Sequence, residues 1–276
     1  SIYHPVGIPM LVQGATKPGR IIGVNGLVGN LGIAAAAVLT GLTVKYLGWR
    51  MAFVIPGLFS LAFAALFARL VPHESSPPAK RAPKMVDLPR SEIARVIVIL
   101  TVTSTCSSLV FNFLTNGNGE LMTDRLRDVT ANPAAIGALL GLVYVIASFA
   151  QLVVGRAIDR YPLKGLFLCI LLMQVPFFAL AAMAEGWVFY ALAIAFMAFV
   201  FGAIPFTDAM IVRYVDDRMR SRVAGVRFAI ALGVSSAAVW LLGPLVKANG
   251  FTFLLVLMAV ISTLAAAAVL LLPRSR

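Results

Sequence analysis

The sequence has 276 residues, 61% of them hydrophobic and only 12% charged, and a mean hydropathy of +0.95. An ordinary soluble domain is excluded by those figures. The net charge of +12 could suggest a nucleic-acid partner, but the basic residues fall in the breaks between apolar blocks, so none is needed to explain them.

Residues 1–16 are apolar and hold Tyr3, His4 and Pro5. They read as the end of a membrane span. A basic loop with Lys17 and Arg20 leads into an uncharged run over 21–44, and Lys45 to Arg50 separate it from a second run over 51–68. Each run is about as long as the roughly 17–25 residues that a helix needs to cross the hydrocarbon. Residues 73–93 are rich in Pro, Ser and charge and read as a linker. Six more spans follow, at 94–116, 133–155, 165–184, 187–211, 223–246 and 251–272. The 117–132 loop carries Glu120, Asp124, Arg125, Arg127 and Asp128, whereas the turns at Glu185-Gly186 and Asn249-Gly250 are short. The expected fold is an all-α polytopic membrane protein with eight complete transmembrane helices and the end of a ninth.

Numbering the loops alternately puts 18 basic residues on one side and 5 on the other. The richer side reads as cytoplasmic, and it carries both the linker and the C-terminus. Cys106 and Cys169 both lie inside apolar spans and read as small packing residues. No His pair has metal spacing and no nucleophile elbow occurs, so the sequence reads as a non-enzyme with no cofactor and no metal.

A repeat runs through the chain. Arg20, Gly23, Val24, Gly41, Lys45 and Gly48 return as Arg222, Gly225, Val226, Gly243, Lys247 and Gly250, always 202 positions on. Parallel duplications of this kind build one class of secondary transporters. The offset aligns 1–16 with 203–218 and places about 110 residues of the first half upstream of residue 1. The expected division is then 1–72 as the remnant of an N-terminal bundle, 73–93 as a cytoplasmic linker, and 94–276 as a C-terminal six-helix bundle. A natural eight- or nine-helix protein is the alternative.

The strongest short motif is Gly155-Arg156-Ala157-Ile158-Asp159-Arg160-Tyr161-Pro162-Leu163-Lys164, between the second and third helices of the six-helix half. It resembles the loop signature of the major facilitator superfamily, although Pro162 and Leu163 stand where Gly and a basic residue are usual. The resemblance implies that Gly155, Asp159, Arg160 and Lys164 form a gating loop that links helix ends across two bundles. It also implies that 1–72 holds the end of the fourth helix, the fifth and the sixth, and that 94–276 holds the seventh to twelfth. Tyr3-His4-Pro5, the Gly-rich 23–32 segment and Gly48-Trp49-Arg50 resemble bacterial drug-efflux members, including the fosmidomycin-resistance type. The antiporter signature of that family includes Gly-Pro and a double Gly, where this chain has Gly29-Asn30-Leu31-Gly32.

Thr101, Ser104, Thr105, Ser108, Asn112, Thr115 and Asn116 recur at three- and four-residue steps, so they share one helical face. That face reads either as a wall of a transport path or as interhelical hydrogen bonding. The substrate-path candidates are Tyr3, His4, Asn25, Asn30, Ser108, Asn112, Asn116, Tyr144, Gln151 and Arg227. The proton-coupling candidates are His4, Glu120 and Asp208. Arg227 reads as snorkelling, or as the partner of an Asp such as Asp208 or Asp216. Gln174 precedes Pro176 and reads as structural.

The expected function is secondary active transport of a small molecule by alternating access, with efflux coupled to protons. The expected setting is the bacterial inner membrane, as a monomer that needs the N-terminal helices of its own protein and has only the substrate and the lipid bilayer as further partners. A non-transporting membrane sensor or assembly protein of the same fold, or an inactive fragment, is the alternative.

Overall fold

The computed structural model describes residues 7, 11–12, 15–71, 90–215 and 219–272. Among them are seven α-helices and no strand. These are α1 (Pro18–Leu47), α2 (Met51–Leu70), α3 (Arg90–Arg125), α4 (Pro133–Ile158), α5 (Leu163–Met183), α6 (Gly186–Tyr214) and α7 (Arg220–Leu270). All but α1 contain a stretch long and apolar enough to cross a membrane, six in total among the described residues.

The expected count of eight complete spans and the end of a ninth is not reproduced. The two spans expected at 223–246 and 251–272 are the two helical arms of one element, α7, which meet at a non-helical kink at Gly250 (φ 76°, ψ 174°). Most of 1–16 and of 73–93 lies outside the described residues. The linker expected to end at 93 gives way to α3 already at Arg90. At its far end α3 runs through the expected loop to Arg125. Leu114, Leu121, Met122 and Leu126 explain the extension, because all four are buried on one side of the chain there. Their packing outweighs Gly117 and Gly119, each of which costs a helix about 1 kcal/mol relative to Ala.

The repeat has a backbone counterpart. Gly48 ends α1 at φ 86° and Gly250 breaks α7 at φ 76°, and the two are 202 positions apart. Both φ values lie in the left-handed region, which a residue with a Cβ adopts only under strain. Each copy therefore turns its chain back at the same place. In the first copy α1 is followed by α2; in the second, the two arms of α7 play the same parts.

Helices α3 to α7 enclose two apolar cores, one toward each end. The core nearer the basic ends holds Ile99, Leu100, Phe167, Phe206 and Met210, and the other holds Leu114, Met122, Phe178, Phe196 and Phe201. In lipid such cores are held by close packing rather than by water exclusion. Helix α1 packs on α4 and also touches α6, and α2 touches α1 while burying none of its own residues.

Candidate functional site

The closest helix approach joins α1 to α4, which run in opposite directions. Gly19, Gly23 and Gly26 on α1 meet Gly155 and Gln151 on α4. A Cβ on Gly19 would lie 2.5 Å from the Gly155 carbonyl oxygen, and one on Gly155 would lie 2.5 Å from the Gly19 carbonyl oxygen. Only glycine permits that distance, and small residues at three- and four-residue steps bring the backbones together. Where the seam reaches the basic end, Asp159 closes it. Its Oδ1 accepts the Gly19 N–H and its Oδ2 accepts the Arg20 N–H, each at 2.8 Å. These are two of the four N–H groups that the start of α1 cannot satisfy within its own helix. The carboxylate also meets the positive end of the helix dipole.

The other residues singled out in that loop behave differently. Gly155 belongs to the seam, and Arg160 is exposed at the end of α4. Lys164 does not reach α1. Its Nζ donates to the Leu270 carbonyl at 2.8 Å and to the Leu272 carbonyl, at the end of α7. The carbonyls there have no helical partners, and the long side chain at the start of α5 reaches them.

Deeper in the seam, Gln151 is fully buried and neither of its amide atoms has a hydrogen-bond partner. Its Oε1 lies 1.6 Å from where a Cβ on Gly26 would stand. One turn further along α1, Asn30 is buried and its Nδ2 has no partner either. Asn25 instead lines an open groove of about 770 Å³ at the start of α1, with Lys17 and Arg20.

Most of the α3 stripe turns inward on its own helix. Thr101 donates to the Ile97 carbonyl, Asn112 to that of Ser108, Thr115 to that of Phe111 and Asn116 to that of Asn112. Such bonds to the carbonyl four residues back satisfy a polar side chain without any ligand. Ser108 is the member that reaches another helix, accepting from Ser235 Oγ of α7 at 2.8 Å. Glu120 is exposed. Tyr3 and His4 lie outside the described residues.

Tyr144 lies in the core toward the less basic end. Its ring stacks on Phe201, and its hydroxyl accepts from Asn118 Nδ2 at 3.3 Å. Asn118 was missed among the candidates from sequence, although it stands three residues after Thr115 and is 1% exposed. Gln174 also bridges helices: Nε2 donates to the Phe199 carbonyl and Oε1 accepts from Ser262. The structural reading of Gln174 agrees with that placement.

Two buried cations complete the picture. Arg227 does not snorkel. It is 2% exposed, and its Nη2 donates to Asp208 Oδ1 at 2.7 Å, joining α7 to α6. A charge in the apolar interior needs such a counterion. Arg125 caps the other end, where its Nη2 donates to Thr252 Oγ1 at 2.6 Å and to the Ala182 carbonyl at 3.3 Å. Glu185 lies 3.8 Å from Arg125 and 3.5 Å from Arg127. Sequence had placed Arg125 in a loop, because nothing before it shows that α3 continues.

The family model described as Major Facilitator Superfamily matches residues 1–123 and, in a second match, 96–276. Together the two matches take in the whole chain. No curated protein matches it.

Proposed function

The chain belongs to the Major Facilitator Superfamily of membrane transporters, and on that premise we propose that it works in secondary active transport of a small molecule by alternating access. In this reading 1–72 and 94–276 are parts of two bundles that rock about a central path, and 73–93 links them. Asp159 and the α1–α4 glycines are the latch that holds the bundles together at the basic end, which is the cytoplasmic end. Efflux of a drug-like compound out of a bacterial cell, driven by protons, is the direction we assign. Of the proton-coupling candidates we assign Asp208, which lies inside the bundle paired with Arg227, whereas Glu120 is exposed.

One observation carries the proposal. A carboxylate in the loop after α4 accepts two backbone N–H groups of a helix 140 residues away. The contact is at a membrane-end seam, so it suits a joint that opens. The test is solute flux in proteoliposomes carrying the purified protein. Uptake into inside-out vesicles that rises with an imposed proton gradient and falls with Asp159→Ala is expected. Absence of flux for every solute in a panel of lipophilic cations, phosphonates and organic anions would sink the transport reading.

A further inference from the structure

Gln151 presents a problem that the latch alone does not explain. A long amide side chain sits in the α1–α4 seam, fully buried, with Nε2 and Oε1 both unbonded to protein. The sequence makes deliberate room for it, since Gly26 has no side chain where Oε1 lies. Leu or Met would fill the same space without leaving polar atoms unsatisfied. Asn30 repeats the pattern one turn away, with a buried, unbonded Nδ2. The groups that favour a shut seam and those that oppose it are thus laid along one line: Asp159 with two bonds made, then Gln151 and Asn30 with bonds forgone.

We propose that Gln151 is a positioning residue that counterweighs the Asp159 latch, favouring an open seam by regaining hydrogen bonds to water there. The inference rests on the alternating-access reading above. A buried amide without partners penalises the shut state only, because separating α1 from α4 hydrates it. Charge-assisted acceptance by Asp159 stabilises the shut state only. A carrier must populate both states, and a ligand or proton can move such an equilibrium only if the two lie close in free energy. Gln151 is the residue that brings them close.

The test is hydrogen–deuterium exchange on the intact protein in lipid nanodiscs, without solute. Gln151→Leu is expected to slow exchange of the 18–26 amides about tenfold, the lower part of the range for an orphaned amide. It should quicken exchange at 133–140, the opposite end of α4. Gly26→Ala should do the reverse, since its methyl group collides with Gln151, and Gly26→Ala with Gln151→Ala should undo that. Gln151→Met serves if the Leu variant does not fold. Unchanged exchange at 18–26, or a uniform slowing at both ends, overturns the inference, the latter because it signals a simple gain in stability. Flux is read separately. Opposed changes at the two ends in a protein that carries nothing would remove the transport reading and leave the seam equilibrium standing. Transport with exchange indifferent to Gln151→Leu would remove the inference alone.

Discussion

Asp159 accepts the backbone N–H groups of Gly19 and Arg20 with its two oxygens, 2.8 Å to each, so one side chain at the end of α4 caps the start of α1. A side-chain cap at a helix start is worth about 0.5–2 kcal/mol. Because Asp159 is exposed, the lower half of that range applies. Asp159→Ala should therefore leave α3 to α7 folded while loosening the seam. Asp159→Asn keeps one acceptor oxygen and should give an intermediate effect. Alkylation of a cysteine placed at Ile22, which is buried beside the seam glycines, should become faster in the order native, Asn, Ala. Equal rates in all three would show that the cap does not hold the seam.

The seam glycines allow a sharper contrast. A methyl group on Gly19 or Gly155 would meet backbone atoms at 2.5 Å, and backbone cannot rotate away. Gly29 and Gly165 are also helical but have nothing within 4 Å of an added Cβ. Gly19→Ala and Gly155→Ala should thus force α1 and α4 apart and lower the melting temperature in detergent. Gly29→Ala and Gly165→Ala should be neutral or raise it, because Ala favours a helix over Gly by about 1 kcal/mol. Similar melting shifts for all four variants would refute the close approach.

Much of this was legible in the sequence, and the failures have physical causes. The apolar runs gave the helices, and the repeat glycines gave the turns, because φ near 80° at Gly48 and Gly250 leaves few other residues that fit. The loop motif pointed to Asp159, since a carboxylate before a basic end suits a helix start. Lys164 could not be assigned from spacing, because its partners are carbonyls more than 100 residues away. The α3 polar stripe read either as a cavity wall or as interhelical hydrogen bonding, and periodicity cannot tell these from a hydroxyl bonded to its own helix. Arg227 read as reaching water or as pairing with an Asp such as Asp208 or Asp216. Only the packing of α6 against α7 shows that Asp208 meets it first.

That ion pair gives a third prediction. Removing one partner of a buried pair strands a charge and costs about 3–5 kcal/mol. Arg227→Met and Asp208→Leu should each lower stability strongly, judged by thermal unfolding in detergent. The double variant should lose less than the two single losses combined, because neither charge is then stranded. Additive losses would mean that the 2.7 Å contact contributes no coupling.

Arg125 and Arg127 stand two residues apart and both approach Glu185, yet their substitution should differ widely. The Arg125 side chain is 9% exposed and joins the ends of α3 and α5 to the second arm of α7 through the Ala182 carbonyl and Thr252. Arg127 is 64% exposed and makes a surface pair that water and salt weaken. Arg125→Ala should cost several times as much as Arg127→Ala, which should fall within about 1 kcal/mol of native. Arg125→Lys should recover only part of the loss, since one ammonium group cannot take the place of a planar fork that reaches Thr252 and the Ala182 carbonyl together. Raising the salt from 50 mM to 500 mM separates the two cases: the melting shift of Arg127→Ala should vanish and that of Arg125→Ala should persist. If both shifts vanish together, Arg125 is held by surface charge alone, and the Ala182 and Thr252 contacts do not anchor that end of the bundle.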